Sequence, residues 1–319
     1  MNNVNDDENT SKEAGILDVA IVALTDSIKN IAPQDGFFSY EISCLHVGRS
    51  SKIDIESAKT FFQPSLGIAT QGAKLVTIEK NSFQYDSQFM YITPLTVPVS
   101  LRTIKASMDE PFISIRLDLE PKRISELVLQ VFPNGLPHTG QRQTSYAVKM
   151  DINIVNAMIR LVACLDNAMD VKHIAPLIVD EILIRLLRSP IGVYVAELGV
   201  ANSDVEKVSK AIAYLHESFA QLVKVEELAK LVNMSSSSFH QHFKSVTAMS
   251  PLRYQKVLRL QEAKRLMIVN KLDAITACRL VGYVSDSQFS RDYTKYFGNS
   301  PKKHITSLIK RPQTLKYEI

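Results

Sequence analysis

The sequence contains the stretch Ser237-Ser238-Phe239-His240-Gln241-His242-Phe243-Lys244, followed by Ser250-Pro251. Fifty residues later the pattern returns as Ser287-Gln288-Phe289-Ser290-Arg291-Asp292-Tyr293-Thr294, followed by Ser300-Pro301. In each copy two aromatic residues four positions apart indicate the buried face of an amphipathic helix. Each Ser-Pro pair is typical of a helix cap with proline in the first turn. The repeat therefore predicts two equivalent helical units.

A short apolar helix and a turn precede each copy, over residues 225–234 and 274–283. The order of helix, turn and amphipathic helix predicts two helix-turn-helix units. Residues 251–269 between them predict a linker helix, and about 18 helical residues span ~27 Å. That length approaches the ~34 Å between successive major grooves on one face of DNA. We therefore expect a domain that reads two neighbouring grooves of double-stranded DNA.

Charge is distributed unevenly along the chain. Residues 206–319 carry 19 Lys and Arg against 9 Asp and Glu, a net charge of +10. Residues 1–205 carry 18 against 24, a net charge of −6, which leaves +4 for the whole chain. A basic segment on an acidic body is the electrostatic footprint of a nucleic-acid-binding module.

The N-terminal two thirds predict a different architecture. Residues 14–31 have helical periodicity, and residues 36–119 alternate short β-prone runs with turns. Strands are expected over residues 37–42, 65–70, 74–78, 89–92, 97–101 and 112–117, with Gln71-Gly72-Ala73 as a hairpin connection. Helices return over residues 121–188, and their apolar stripes either pack on the strands or pair with a second copy. The predicted fold class is α+β, a small β-barrel with flanking helices followed by an all-α domain.

Composition and turn residues set the expected boundaries. We predict a disordered tail over residues 1–13, a regulatory domain over 14–190, a linker over 191–204, a DNA-binding domain over 205–305 and a C-terminal tail over 306–319. The chain is 45% apolar and 22% charged, as in globular proteins. No run approaches the ~18 apolar residues of a membrane span, and three distant cysteines indicate a reducing compartment. A cytoplasmic protein without membrane association is expected.

The DNA-binding part resembles the AraC family of transcriptional regulators. The resemblance covers residues 205–305 and rests on several spaced segments, among them Ser250-Pro251-Leu252-Arg253-Tyr254, Arg259-Leu260-Gln261-Glu262-Ala263-Lys264-Arg265-Leu266, Gly282-Tyr283 and Phe297-Gly298-Asn299-Ser300-Pro301. Upstream, Pro64-Ser65-Leu66-Gly67-Ile68 and Pro111-Phe112-Ile113-Ser114-Ile115-Arg116-Leu117 are similar to the regulatory domain of one branch of that family. The resemblance implies a cupin-like regulatory domain that receives a small-molecule effector. It also implies pairing with a second copy, contact with RNA polymerase, and activation of transcription.

Side chains at helical spacing on the outward faces are the candidates for contact with DNA. They are Ser237, His240, Gln241 and Lys244 in the first unit, and Asp286, Ser287, Gln288 and Arg291 in the second. Gln241 can bond adenine bidentately, whereas Lys244 is expected to meet phosphate. Arg291 is expected to contact guanine or phosphate.

The expected effector pocket lies inside the barrel. Its candidate lining comprises Phe38, Tyr40, Phe62, Ile68, Gln71, Tyr91, Ile113 and Arg116. Gln71 and Arg116 would supply polar contacts, although ordinary core packing explains each residue equally well. No cofactor, metal site or catalytic residue is expected, because the histidines are scattered and phosphate-binding or nucleophile motifs are absent from the sequence.

Two alternatives stay open. The first is a DNA-associated enzyme with a reactive cysteine, for which Cys44 is the candidate because His46 and Arg49 lie close in sequence. The second is an architectural protein that binds DNA without sequence preference. Cys278 is expected to be a small buried residue of the second unit.

Overall fold

The computed structural model describes residues 3–137 and 142–310, and within them the side chains from Gly15 onward. The first part is built on β-strands and the second on helices, as the fold class predicted. The strands are β1 Gly36–Ser39, β2 Leu45–Ser50, β3 Ala58–Phe62, β4 Ser65–Gln71, β5 Ala73–Ile78, β6 Asn81–Tyr85, β7 Phe89–Thr93, β8 Val97–Lys105, β9 Phe112–Asp118 and β10 Tyr146–Lys149. They form a six-stranded sheet in the order β1-β2-β9-β4-β7-β10 and a four-stranded sheet in the order β3-β8-β5-β6. All neighbouring strands run antiparallel.

The hairpin prediction at Gln71-Gly72-Ala73 is wrong. Strand β4 pairs with β7 and β9, whereas β5 pairs with β6 and β8, so the chain passes from one sheet to the other at Gly72. Gly72 has φ +72°, and a Cβ there would lie 2.5 Å from the carbonyl oxygen of Lys105. A glycine turn serves a hairpin and a passage between sheets equally well, because both need left-handed backbone in little space.

Strand β9 shows how the barrel wall is built. Phe112, Ser114 and Arg116 face the interior between the two sheets, where they line a cavity. Ile113 and Ile115 face the other way and are fully buried. Side chains alternate across a strand, so one sheet serves both a cavity and a helix-packed core.

Helices cover the outer face of the six-stranded sheet. They are α1 Asn3–Ile31, α2 Pro121–Val131, α3 Ile152–Ala163, α4 Ala168–His173, α5 Ala175–Leu187 and α6 Gly192–Ala196. Helix α1 packs on β4, β9 and α3, and α3 packs in turn on α5. The apolar stripes of residues 152–187 are thus used largely within the chain, although Leu177 stays exposed.

Two expected boundaries differ from the structure. Helix α1 begins at Asn3, so residues 3–13 are helical rather than a disordered tail. A helix already nucleated by packed residues extends at little cost through a polar segment. The expected linker 191–204 contains α6 and buries Val195, Ala196 and Leu198. Its glycines suggested a flexible connection, but its apolar residues fill the core of the regulatory domain.

The C-terminal part is helical. Its helices are α7 Asp204–Ser218, α8 Val225–Leu231, α9 Ser236–Thr247, α10 Pro251–Val269, α11 Ala274–Leu280, α12 Asp286–Phe297 and α13 Pro301–Ile309. Helix α13 replaces the first residues of the expected C-terminal tail, because His304 and Leu308 lie one turn apart and are both buried. The rest of that tail, residues 311–319, lies outside the described residues.

The helix caps of the two units also match at a separation of fifty residues. The Ser235 hydroxyl accepts a hydrogen bond from the Ser238 amide at 3.2 Å, and the Ser285 hydroxyl accepts one from the Gln288 amide at 3.3 Å. The recognition helices α9 and α12 then end at left-handed residues, Ala248 with φ 62° and Gly298 with φ 82°. Start, length and end of the two helices are therefore matched.

Within the described chain, no helix is long and apolar enough to cross a bilayer.

Candidate DNA-binding surface and effector cavities

Helix α9 presents the predicted polar face to the outside. Phe239 and Phe243 are fully buried. The four predicted contact residues lie on the opposite side and are all exposed: Ser237, His240, Gln241 and Lys244. Their spacing of three and four residues places them along one stripe of the helix. This stripe is a surface that fits a major groove.

Helix α12 repeats the arrangement with different chemistry. Phe289 and Tyr293 are buried, and the four predicted contact residues are exposed: Asp286, Ser287, Gln288 and Arg291. The Arg291 guanidinium donates a hydrogen bond to the Gln288 side-chain oxygen at 3.0 Å. This bond orients both groups toward the same surface before any DNA is bound.

Three further exposed residues of the second unit are candidates for contact with DNA, although they are not among the residues expected from the sequence. Ser290 and Thr294 occupy the positions that match His240 and Lys244, so the fifty-residue offset itself indicated them. Val284 is fully exposed just before the cap of α12. An exposed apolar side chain at this place can meet a thymine methyl group.

A cavity of about 90 Å³ lies between the two sheets of the regulatory domain. Three of the predicted lining residues, Phe62, Tyr91 and Arg116, do line it. The other five lie elsewhere: Phe38, Tyr40, Ile68, Gln71 and Ile113. The cavity is lined instead by further aromatic and small residues that the sequence reading did not select, notably Phe37, Phe83, Tyr85, Phe112 and Ser114.

The expected lining residues that do not border the cavity have other packing or hydrogen-bond partners. Ile68 and Ile113 are buried against the helices, on the opposite face of the sheet from the cavity. The Tyr40 hydroxyl donates to the carbonyl oxygen of Ile31 at 3.1 Å, and the Gln71 amide donates to that of Pro111 at 2.7 Å. Apolar residues such as Ile68 and Ile113 were expected to line the cavity, but the most apolar face of the sheet packs on helices. The cavity face of β9 instead combines aromatic, small and charged residues.

Arg116 anchors a polar group at the cavity wall. Its guanidinium pairs with the Asp118 carboxylate at 2.9 Å and lies 5.0 Å from the centre of the Phe37 ring. The other carboxylate oxygen of Asp118 bonds His46 Nε2 at 2.9 Å. The His46 ring stacks on Phe37. These contacts hold the Arg116 guanidinium in place at the wall of the cavity.

A larger cavity, of about 1030 Å³, lies between the regulatory domain and the second helix-turn-helix unit. One wall is formed by residues 50–59 with Lys74 and Leu101, and the other by the end of α12 and by α13. Its cationic lining consists of Lys52, Lys59, Lys74, Lys295 and Lys310, and its acidic lining of Asp35, Asp54 and Glu56. Tyr296, Phe297 and Leu308 add apolar surface.

Lys74 borders both cavities. Its ammonium lies 4.6 Å from the centre of the Phe112 ring, and only 7% of the residue is exposed. Burial lowers the pKa of Lys74 to about 8, against the opposing charge of Asp54. A buried ammonium with this pKa gains from a nearby anion, because the anion restores the stability of its charged form.

The regulatory domain is attached to the first unit and to the linker helix. The Tyr254 hydroxyl of α10 donates to the carbonyl oxygen of Thr96 at 2.9 Å. Phe61 of β3 packs against the rings of Tyr254 and His216 at 5.7 and 5.6 Å. Burial lowers the pKa of His216.

The cysteines do not have the surroundings of reactive thiols. Cys44 is buried, and its pKa is raised to about 11, first by burial and then by the charge of Glu120. His46 bonds Ser39 and Asp118. Cys278 is fully buried in the second unit, as predicted, and burial is the first cause that raises its pKa to about 11. Reactive cysteines need a lowered pKa.

Two family models match the chain. The model described as the N-terminus of AraC-type transcriptional regulators matches residues 41–194. A helix-turn-helix domain model matches residues 228–306. The two matches fall on the regulatory part and on the repeat.

Curated relatives have corresponding descriptions. The lactose operon transcription activator of Staphylococcus xylosus is 22% identical over 255 residues, 77% of this chain and 85% of that protein. The raffinose operon regulatory protein RafR of Pediococcus pentosaceus is 25% identical over 152 residues, 46% of this chain and 55% of its own. The activator RclR of Escherichia coli is 35% identical over 80 residues, which cover 25% of this chain and 28% of that protein.

Solved structures share the fold over most of the chain. ToxT from Vibrio cholerae, solved with an unsaturated fatty acid bound, superposes with a TM-score of 0.54 at 11% identity and covers 85% of this chain and 95% of its own. A second ToxT structure gives a TM-score of 0.57 at 10% identity, with 85% and 98% covered. At this identity the likeness concerns the fold alone.

Proposed function

The chain belongs to the AraC family of transcriptional regulators, and on that premise we propose that it activates transcription from two-box operators. Helix α9 reads one box and α12 the next, in successive major grooves. The observation that carries this proposal is the matched pair of exposed polar faces, each opposite two buried aromatic residues and joined by one continuous helix, α10. Pairing with a second copy and contact with RNA polymerase stay predictions.

Binding-site selection with the purified full chain tests the DNA-reading part. We expect two boxes about one DNA turn apart. Arg291→Ala should weaken binding and relax the preference at one position of the second box. Gln241→Ala should do the same in the first box. Salt-sensitive binding without any motif, indifferent to both substitutions, would favour an architectural DNA binder instead.

We further propose that a small molecule with an anionic group and an apolar body controls the protein from the larger cavity. Lys59 and Lys74 belong to the regulatory domain, whereas Lys295 belongs to the second unit, so one anion can interact with both sides. The apolar lining and the smaller aromatic cavity, which also borders Lys74, offer room for a hydrocarbon body. The fatty acid bound to ToxT makes an unsaturated fatty acid the first probe to use.

Binding of a cis-unsaturated fatty acid to the full chain can be followed by calorimetry. Lys74→Met should reduce the affinity at least tenfold, because removing one partner of a desolvated ionic pair leaves the other charge buried and unpaired. Lys172→Met, on α4 away from both cavities, is the matched control. Equal affinity in the wild type and Lys74→Met would contradict this placement of the effector, and it would leave the DNA-reading proposal intact.

A further inference from the structure

The second helix-turn-helix unit touches, through its backbone, the loop that leads into the first unit. The turn of the second unit at Gly282 lies against the loop between α7 and α8, residues 219–224. Gly282 has φ +83°, and a Cβ there would lie 2.0 Å from the carbonyl oxygen of Ala220. Only glycine fits this contact, because the left-handed backbone and the missing side chain are both needed.

Arg259, in the middle of α10, joins both sides of this contact. Its Nε donates to the carbonyl oxygen of Phe219 at 2.7 Å, and its Nη2 donates to that of Gln221 at 2.8 Å. Its Nη1 donates to the carbonyl oxygen of Gly282 at 3.1 Å. One rigid guanidinium thus bonds the linker helix, the loop beside the first unit and the turn of the second.

The planar fork is suited to this role. A lysine has a single ammonium on a flexible stem and cannot hold three carbonyl oxygens in one fixed geometry. Because Arg259 is partly buried, its bonds are shielded from competing water. The arrangement therefore resists rotation of the second unit about the linker helix.

A second group of contacts holds α12 itself. The Tyr283 hydroxyl donates to the Asp292 carboxylate at 3.3 Å. The Lys256 ammonium, one turn before Arg259 on α10, pairs with the same carboxylate oxygen at 3.1 Å. The Arg259 guanidinium lies 5.9 Å from the centre of the Tyr283 ring. Lys256 and Arg259 together fix both the turn and the recognition helix of the second unit.

We propose that Arg259, supported by Lys256, is the positioning residue that makes this protein select the spacing between its two boxes. The proposal rests on the proposed function, since it requires that α9 and α12 both read DNA. One added base pair moves the second box by about 3.4 Å and rotates it by about 35°. A rigid joint cannot follow that change, whereas a loosened joint can.

The experiment uses the full chain and its selected operator, together with operators that have one base pair added or removed between the boxes. The quantity measured is the ratio of affinities for native and altered spacing. For the wild type we expect a penalty of at least tenfold. Arg259→Lys should reduce that penalty several-fold, and its affinity for the native spacing should change less than the penalty does.

Lys256→Met is the second variant, because the Lys256 side chain is half exposed and lies outside the apolar core. Lys256→Met should also reduce the spacing penalty, but by less than Arg259→Lys does. Arg265→Gln is the matched control. Arg265 lies on the same helix and bonds Glu262 of that helix at 2.8 and 2.7 Å, on the side away from the joint contacts described above. Its spacing penalty should equal that of the wild type.

The outcomes separate this inference from the proposed function. If the wild type selects two boxes but Arg259→Lys and Lys256→Met both keep the full penalty, Arg259 does not set the spacing. A wild type that tolerates altered spacing also overturns the inference, although the two-box reading stands. Selection of no motif at all contradicts the proposed function, and the inference with it.

Discussion

The first helix-turn-helix unit buries Phe239 and Phe243 in the same hydrophobic core as the regulatory domain, whereas the second buries Phe289 and Tyr293 in a separate small core. The two units have the same caps, lengths and aromatic spacing. They differ in what surrounds them. The first continues through Tyr254 into the β-sheet domain, while polar contacts are prominent where the second meets that domain.

Those polar contacts are few and specific. The Lys264 ammonium donates to the carbonyl oxygen of Lys59 at 3.1 Å, and the Lys59 ammonium donates to that of Tyr296. Lys59 lines the larger cavity, where a ligand can compete for its polar contact at lower cost than displacing a buried apolar core. If the effector binds where we propose, we expect it to reposition the second unit while the first stays fixed to the regulatory domain.

The largest expected effect comes from removing one aromatic side chain from the core shared with the regulatory domain and one from the separate core of the second unit. Phe239→Ala and Phe289→Ala should each cost about 3–5 kcal/mol locally. We expect Phe239→Ala to lower the main unfolding transition, because its core is shared. Phe289→Ala should loosen only residues 274–309, as measured by hydrogen exchange. Equal loosening of the regulatory domain by both variants would show that the cores are not separate.

The next effect concerns DNA affinity. Loss of a bidentate base contact costs about 1–3 kcal/mol. We expect the loss of binding free energy to lie toward the upper end of this range for Arg291→Ala and toward the lower end for Gln241→Ala, because Arg291 carries a charge. Arg188→Ala, on the regulatory domain, serves as control in the same fluorescence-anisotropy titration. If Gln241→Ala has the larger effect, the first unit dominates recognition.

Acid should weaken the second unit through His304. Burial lowers the pKa of His304 from an ordinary 6.5 to about 4, helped by the charges of Lys264 and Lys59. The unfolded chain therefore binds a proton between pH 6.5 and 4 that the folded chain does not. The stability contribution is complete above pH 6.5 and is lost as the pH falls toward 4. Hydrogen exchange of α13 should rise over this range.

His304→Gln tests that origin. Glutamine can still bond the Tyr293 hydroxyl, which lies 3.0 Å from His304 Nδ1, but it does not titrate. The increase in α13 exchange between pH 7 and 5 should become smaller in this variant. An unchanged pH profile would assign the acid sensitivity to other groups, such as the half-buried His216.

The smallest effect concerns the cysteines. Both Cys44 and Cys278 are buried with pKa values of about 11, so a thiol reagent reaches each only after local opening. Because the second core is separate and smaller, Cys278 should react several-fold faster than Cys44 in single-cysteine variants. The reverse order would contradict the ranking of the two cores. Cys44→Ser should leave DNA binding unchanged.

The helical part was predictable because its signals are local. A recognition helix needs a cap, two buried aromatic residues and an outward polar stripe, and all three lie within a dozen residues. The strands were harder. The sequence patterns did not indicate β2, β3, β6 or β10. A strand covered on both faces loses the alternation of apolar and polar residues. Strand β2, with the burial of both its faces, is an example.

The candidate effector cavities were predicted less well than the outward faces of the two recognition helices. Three of the eight expected lining residues border the inner cavity, and the larger cavity was not foreseen. It is assembled from residues 50–59 and from α12 and α13, more than two hundred positions apart in sequence. Local sequence patterns therefore could not show that these two segments meet.

The sequence by itself determined the two recognition helices, their outward faces, the basic charge around them and the family to which the chain belongs. These follow from short-range periodicity, capping and charge, which act within a few turns of helix. Tertiary structure alone decided that the two cores differ, that the chain passes between the sheets at Gly72, that Lys74 borders two cavities and that Arg259 bonds both the loop between α7 and α8 and the turn of the second unit. Those features depend on long-range packing, in which side-chain partners are set by the path of the whole chain.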